Sequence, residues 1–159
     1  MFYIVDTNVL LRFSLRTDTQ NLLVRTIIEK LNNEGHQLLT SVQNCVEFWN
    51  VATRPIKYNG FGITIAECNE SLRLIESIFT VVPSSRSIYS TWRSLVIRYN
   101  VSGVKVHDAH LVAVMLEYGV ERILTFNDQD FRRYEPAGIE AVHPEALSSG
   151  DEFETQGRK

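Results

Sequence analysis

The sequence predicts an α/β protein in which a parallel sheet is covered by helices on both faces. Three observations predict it. Short strand-favouring stretches alternate along the chain with longer segments of helical period, the order that βα units produce. Phe2-Tyr3-Ile4-Val5 is apolar at every position rather than at alternate ones, as in a strand buried on both faces. Helix start and stop residues fall between the segments.

The elements follow in order. After Asp6 a short helix is expected through Val9, Leu10 and Phe13. A second helix starts near Asp18 or Thr19, carries Leu22, Leu23, Ile27, Ile28 and Leu31 on one face, and stops at Gly35. Gln37 to Thr40 reads as the second strand. The helix after it runs from about Val42 to Thr53 and is closed by Pro55, which pushes the preceding residue out of the helical region. Ile56 to Gly62, with two glycines, reads as a surface turn. Thr64 and Glu67 form a capping box, and the helix it opens sets Ile65, Cys68, Leu72, Ile75 and Phe79 at helical spacing. Thr80 to Val82 is a short third strand. Ser84 or Ser85 caps a helix with Ile88, Trp92, Leu95 and Tyr99 on one face. A further helix spans roughly His107 to Tyr118 and ends at Gly119. Arg122 to Phe126 reads as a fourth strand and Ile139 to Val142 as a short fifth, so a sheet of four to five strands is expected. Residues 1–147 form one domain, and the polar tail 148–159 is expected to be disordered. There is no internal repeat.

Composition bounds the function. A chain of 159 residues buries a core without staples, and 44% hydrophobic with 22% charged residues is ordinary for a soluble globular domain. No basic-then-apolar leader opens the chain, and its longest apolar run, Leu111 to Leu116, is far short of the ~18 residues of a membrane span. Cys45 and Cys68 fall in expected helices without CxxC spacing, so structural thiols in a reducing, cytoplasmic setting are expected. The net charge of −3 carries no global signal for nucleic acid. A bound cation can supply that charge locally, so a nucleic-acid substrate stays open.

The chemistry lies in acids at element ends. Asp6 sits where a buried strand stops, at the sheet edge where open α/β proteins bind ligands. A plain helix cap is the other reading of Asp6. Glu47 is the only charged residue between Ser41 and Thr53, in a helix apolar nearly all round and so expected to be largely buried. It needs a partner there, and Arg54 is one candidate. Asp108 opens its helix on one stripe with Leu111, Val112 and Met115, where the helix dipole favours an anion or a simple cap. Asn127-Asp128-Gln129-Asp130-Phe131 follows a strand end as Asp6 does, and a solvated turn explains it equally well. If the strands are parallel, Asp6, Glu47 and Asp108 converge at one edge. Clustered carboxylates hold their protons unless a cation is present. Oxygen ligands select Mg²⁺ or Mn²⁺, an ion suited to attack by water on a phosphodiester.

These residues also resemble a known family. Ile4-Val5-Asp6-Thr7-Asn8-Val9-Leu10-Leu11, Val46-Glu47-Phe48, His107-Asp108-Ala109 and Leu124-Thr125-Phe126-Asn127-Asp128-Gln129-Asp130-Phe131 together resemble a PIN domain, most of all the bacterial VapC-type toxins. The resemblance covers residues 1 to about 143. It implies a three-layer α/β/α fold and a Mg²⁺- or Mn²⁺-dependent endoribonuclease, the toxin of a type II toxin–antitoxin pair, leaving a 5′-phosphate and a 3′-hydroxyl. It implies that Asp6, Glu47 and Asp108 are metal ligands, with Glu47 also orienting or deprotonating the attacking water. The fourth ligand position falls on Asn127, where many relatives carry Asp, so Asp130, or after it Asp128, is the candidate to compensate. Thr7 matches the small hydroxyl residue that supports the site. A homodimer and a cognate antitoxin are implied too, the antitoxin's tail occupying a groove and reaching an arginine into the acids. Leu10, Leu11, Phe13 and Leu15 would line such a groove or pack in the core.

Around this site Arg12, Arg16, Lys57, Lys105, Arg132 and Arg133 are candidate RNA phosphate contacts, solvated surface being the default for each. Trp49, Trp92 and Tyr99 could stack on bases, but aromatics at helical spacing are usually core. His107 and His110 have a spacing zinc uses, yet no Cys or third His lies nearby in sequence, so zinc is not expected. Two other classes compete. A haloacid-dehalogenase-like phosphatase has its nucleophilic Asp followed by a second Asp two residues later, and that position here is Asn8. A PIN-like module that binds RNA or protein without cutting is favoured by Asn127.

Overall fold

Strands β1 (Phe2–Val5), β2 (Gln37–Ser41), β3 (Thr80–Val82), β4 (Arg122–Leu124) and β5 (Glu140–Val142) form one sheet in the order β3-β2-β1-β4-β5, with every neighbouring pair parallel. The computed structural model describes residues 1–148. Ile4 lies in register with Leu39 on one side and Ile123 on the other. From the central β1 the chain steps outward to β2 and β3, then returns to add β4 and β5 on the opposite side. Its winding therefore reverses between β1 and β4. At such a switch point the connecting loops diverge and leave a crevice beyond the strand ends.

Eight α-helices cover the sheet among the described residues: α1 (Thr7–Ser14), α2 (Asn21–Asn33), α3 (Val42–Thr53), α4 (Ile65–Ile78), α5 (Arg86–Arg98), α6 (Val106–Glu117), α7 (Asp128–Phe131) and α8 (Pro144–Ser148). Successive strand residues point to opposite faces, and this period of two divides the core. Tyr3, Val5, Leu38 and Leu124 pack with α1 and α2 and with Phe48, Ala52, Cys68 and Ile75 of α3 and α4. Ile4, Leu39 and Ile123 pack on the other face with Ile88 and Leu95 of α5, Val112 and Met115 of α6, and Phe131 and Tyr134. The result is the three-layer α/β/α sandwich that the sequence predicts.

Several boundaries differ for local reasons. The second helix starts at Asn21, because the Asp18 carboxylate accepts the Gln20 N–H at 2.8 Å and closes a turn first. Leu22 is 78% exposed for a different reason: at about 3.6 residues per turn it lies on the side of α2 away from the buried Val24, Ile27, Ile28 and Leu31. Helix α3 is not buried all round. It buries Asn44, Phe48 and Ala52 and leaves Val46 63% exposed. The Thr64–Glu67 capping box forms with both of its bonds, although Ile65 faces solvent. Ser85 occupies the N-cap of α5, yet its hydroxyl engages Ser87 and Glu117 rather than the helix N–H groups. The expected turn at 56–62 contains a 3-10 turn at Ile56–Tyr58. Gly60 is required in it, since a Cβ would lie 1.9 Å from the Arg54 carbonyl oxygen. Strand β4 stops two residues short of expectation, and β5 starts one later. The acidic stretch after β4, for which a solvated turn was one of two readings, forms the short α7, continued as a 3-10 turn over Arg132–Ala137 with Tyr134 buried. Ser148, placed in the tail from sequence, belongs to α8; the remainder of that tail lies outside the described residues. Among the described residues no helix is long and apolar enough to cross a membrane.

Candidate active site

Asp6 ends the central strand at the switch point. Its backbone N–H still bonds Leu124 O of β4 at 3.1 Å, while its carbonyl accepts the first helical N–H groups of α1. The same residue is thus the last rung of the sheet and the N-cap of a helix, which holds its side chain at the crevice. The carboxylate is heavily bonded. Oδ1 accepts the Thr7 backbone N–H at 2.7 Å, and Oδ2 accepts the Thr125 hydroxyl at 2.7 Å and the Asn8 amide at 3.0 Å. Enclosure by protein nevertheless pushes the Asp6 pKa up to about 6, and the negative charges of Asp108 and Glu47 add to the rise. So the helix-cap reading of Asp6 holds, and the capping carboxylate is in addition enclosed and short of positive charge.

Glu47 reaches the same crevice from α3. Its partners are Thr7 and Gln43 rather than Arg54: Oε2 accepts the Thr7 hydroxyl at 2.9 Å and Oε1 the Gln43 amide at 2.8 Å. Arg54 instead donates to the Asn59 carbonyl. Asn44, almost fully buried, donates to Thr7 Oγ1 at 3.0 Å and more weakly to Asp6 Oδ1 at 3.5 Å, while its own Oδ1 accepts the Ser41 hydroxyl. Asp6 and Glu47 are therefore joined through Asn44 and Thr7 and do not touch each other.

Asp108 enters from the first turn of α6, and burial raises its pKa against the lowering effect of Lys105. Glu47 and Asp130 act on it with like charge, which places all of these acids around one crevice. Of the two candidates offered to compensate for Asn127, the structure brings in only one. Asp130 faces Lys105 and Asp108, whereas Asp128 is paired with Arg132 at 3.4 Å. Asn127 is exposed beyond β4, with its backbone N–H bonded to Thr125 Oγ1 at 3.0 Å. Among the described residues, no three His, Cys, Asp or Glu side chains close by themselves into a metal site. The donors are all oxygen and short of compensating charge, which suits a hard divalent ion that keeps part of its water shell.

The cationic candidates separate. Arg12 stacks its guanidinium 4.4 Å above the Phe126 ring and donates to the Asn8 carbonyl at 2.8 Å, so it is anchored beside the crevice. Lys105 is engaged with Asp130 and Asp108, Arg132 with Asp128, and Lys57 lies over Tyr58. Arg16 and Arg133 are exposed. Leu10, Leu11, Phe13 and Leu15 are all buried, so they take the core reading and line no open groove. Apolar surface is open elsewhere. A cleft of about 450 Å³ lined by Val42, Val46, Trp92, Val106 and His110 runs up to Gln43 and Glu47.

Sequence reading singled out the acids and Thr7 but missed the groups that hold them. Thr125 is fully buried and bonds Asp6, Asn8 and the Asn127 N–H. Asn8 ties Asp6 to the β4 side, its Oδ1 accepting the Phe126 N–H at 3.1 Å. Thr125 and Asn8 both stood inside the quoted motifs. Asn44, three residues after the N-cap Ser41, was legible only as half of a capping box.

A parallel α/β/α sandwich that gathers carboxylates at its switch point is the class defined by this geometry. The chain belongs to the PIN domain family, whose model matches residues 3–135. No curated protein sequence matches it. Solved structures share its fold at low identity. The structure of VapBC-1 from nontypeable Haemophilus influenzae aligns with a TM-score of 0.67 and 15% identity over 91% of this chain and 99% of that one. VapBC2 from Rickettsia felis, bound to a DNA fragment from its promoter, aligns at 0.66 and 11% over 90% and 98%. Mycobacterium tuberculosis VapC20, a toxin that cleaves the sarcin-ricin loop, aligns at 0.63 and 15% over 88% and 98%.

Proposed function

We propose that this protein is a divalent-metal-dependent endoribonuclease acting as the toxin of a toxin–antitoxin pair. The observation that carries the reading is the facing of Asp6, Glu47 and Asp108 across the switch-point crevice, with Asp6 raised to a pKa of about 6 by enclosure and like charge. Membership of the PIN family and the fold shared with VapC toxins support it. Asp6, Glu47 and Asp108 would hold Mg²⁺ or Mn²⁺, with Asn127 and Asp130 the further candidates on the β4 side. Such an ion supplies Lewis acidity to a phosphodiester and lowers the pKa of water.

The remaining work falls to the chain's own groups. Thr125, Asn8 and the Thr7 N–H fix the Asp6 carboxylate, while Thr7 and Gln43 fix both oxygens of Glu47. Glu47 is thereby aimed to orient a water and accept its proton. Arg12, anchored on Phe126, is placed to meet a substrate phosphate. The likeness to VapBC toxin–antitoxin structures supports the antitoxin partner, and the homodimer is proposed from the family resemblance alone.

Cleavage of a labelled single-stranded RNA by antitoxin-free protein tests the reading. Cutting in Mn²⁺ is expected, abolished by EDTA and lost in an Asp6→Asn/Asp108→Asn variant. Equal cutting by that variant, or cutting that survives EDTA, refutes it. A non-cleaving PIN-like module that binds RNA or protein is the second reading, favoured by the amide at Asn127. RNA binding without turnover in Mn²⁺ selects that reading.

A further inference from the structure

The outer side of the acid cluster already carries a cation belonging to the protein. Lys105 Nζ lies 2.5 Å from Asp130 Oδ2 and 3.7 Å from Asp108 Oδ2. Lys105 ends the 3-10 turn Gly103–Lys105 and directly precedes α6. Its side chain is 38% exposed, and those of Asp130 and Asp108 are 35% and 28% exposed. The three groups thus share a partly wet pocket where attraction is only partly screened.

The unequal distances are the informative point. A lysine at the N-cap position, three residues before Asp108, lies beside it across the first turn of α6 and, with no other acid in reach, pairs with it. Here the shorter contact goes instead to Asp130, delivered by α7 from beyond β4. Asp128 offers no alternative, being held by Arg132.

We propose that Lys105 is an internal competitor for the divalent ion, and that Asp130 is the positioning residue that draws Lys105 off Asp108 rather than a further ligand. The proposal rests on the nuclease reading insofar as it takes Asp108 for an ion ligand. An ammonium near a ligand carboxylate weakens the hold of that carboxylate on any other cation. Without Asp130, the ammonium has one acid left and closes on Asp108. Without Lys105, Asp108 is uncovered and Asp130 has nothing to divert.

Mn²⁺ titration of the full chain, read by the electron paramagnetic resonance signal of free Mn²⁺, tests this through a double-mutant cycle. Lys105→Met is expected to bind Mn²⁺ about fivefold more tightly, the factor Coulomb attraction gives near this separation in water. Asp130→Asn is expected to bind more weakly by a similar factor. Asp130→Asn should cost much less in the Lys105→Met background than in wild type, because only the direct pull of the Asp130 charge is left once Lys105 is gone. Lys105→Gln should repeat the direction of Lys105→Met, which separates loss of charge from changed packing. If Asp130→Asn weakens binding equally with and without Lys105, Asp130 is a ligand and the proposal is overturned. Unchanged affinity in Lys105→Met and Lys105→Gln overturns it too, and a loss of RNA affinity in them would then make Lys105 a phosphate contact. No Mn²⁺ binding by any of the proteins overturns the proposal together with the nuclease reading, whereas binding indifferent to Lys105 overturns the proposal alone.

Discussion

Replacing Thr125 with Val should expose how strongly the fold and the site depend on one hydroxyl. Thr125 is fully buried, and valine keeps its shape while removing the oxygen. That oxygen donates to Asp6 Oδ2 at 2.7 Å and accepts from Asn8 Nδ2 at 3.2 Å and from the Asn127 N–H at 3.0 Å. A hydrogen bond to a charged group is worth about 1.5–3 kcal/mol, and a neutral one about 0.5–1.5 kcal/mol. Asn127 is exposed, so water replaces part of what its N–H loses. The expected loss at pH 8, where Asp6 is ionised, is therefore about 2–4 kcal/mol. At roughly 2–4 °C per kcal/mol for a domain of this size, Tm should fall by roughly 4–16 °C. At pH 5 Asp6, with its pKa near 6, is mostly protonated, the bond is no longer charge-assisted, and the fall should shrink. Because Thr125 also aims a proposed ligand, Mn²⁺ affinity should drop about 10- to 100-fold. Metal-free thermal melts at both pH values and a Mn²⁺ titration check this. A Tm within 1 °C of wild type at pH 8 by order of magnitude, or the same loss at both pH values, refutes the role assigned to the hydroxyl.

Other outcomes follow from the same network. The metal-free protein should lose stability as pH rises: Asp6 titrates near 6 when folded and near 3.8 when unfolded, so the folded state binds more protons between those values. Stability present below about pH 4 is lost through pH 6, by at most about 3 kcal/mol before allowance for solvent access. Urea titrations at pH 4.5 and 8 measure the difference, and a metal-free stability that climbs over this range contradicts it. Asn44→Asp sets a new negative charge among buried partners beside Asp6 and should destabilise the metal-free fold by more than about 3 kcal/mol at pH 8. A denaturation midpoint equal to wild type would show that Asn44 is not so enclosed. Thr7→Val frees one oxygen of Glu47 and removes the acceptor of the buried Asn44 amide, so it should lower the cleavage rate about tenfold or more and cost about 2–4 kcal/mol of stability; an unchanged rate removes Thr7 from the site. Phe48→Ala empties a fully buried position on the inner face of α3 and should cost about 3–5 kcal/mol by chemical denaturation. A cost below 1 kcal/mol there would mean that the core collapses into the void.

Much of this molecule was legible one residue at a time. Tyr3–Val5 is apolar and buried because β1 is the central strand of the sheet, although Phe2 at its start is 46% exposed, and the Thr64–Glu67 box forms because capping is a matter of local backbone geometry. Asp6, Glu47 and Asp108 stood out for a related reason: an acid at an element end or in an apolar helix is a local anomaly. Leu22 is a misreading of a local kind: grouped by sequence with Ile27, Ile28 and Leu31, at about 3.6 residues per turn it lies on the other side of α2 and is exposed. Other misreadings arose where the partner is remote. Glu47 was offered the nearby Arg54, whereas its actual partner Thr7 lies forty positions away. Leu10, Leu11, Phe13 and Leu15 read equally well as groove or core until packing against the sheet settled them as core.

By itself, then, the sequence determined the class of fold, the helix caps and stops, and the residue types able to hold a hard cation, since propensity and solvation act on each residue where it stands. Only the tertiary structure decided the strand order, which acids face one another, and the partners of Thr125, Asn44 and Lys105. Those depend on contacts between segments as far apart as β1 and β4, and no local pattern encodes the partner of a side chain across a switch point.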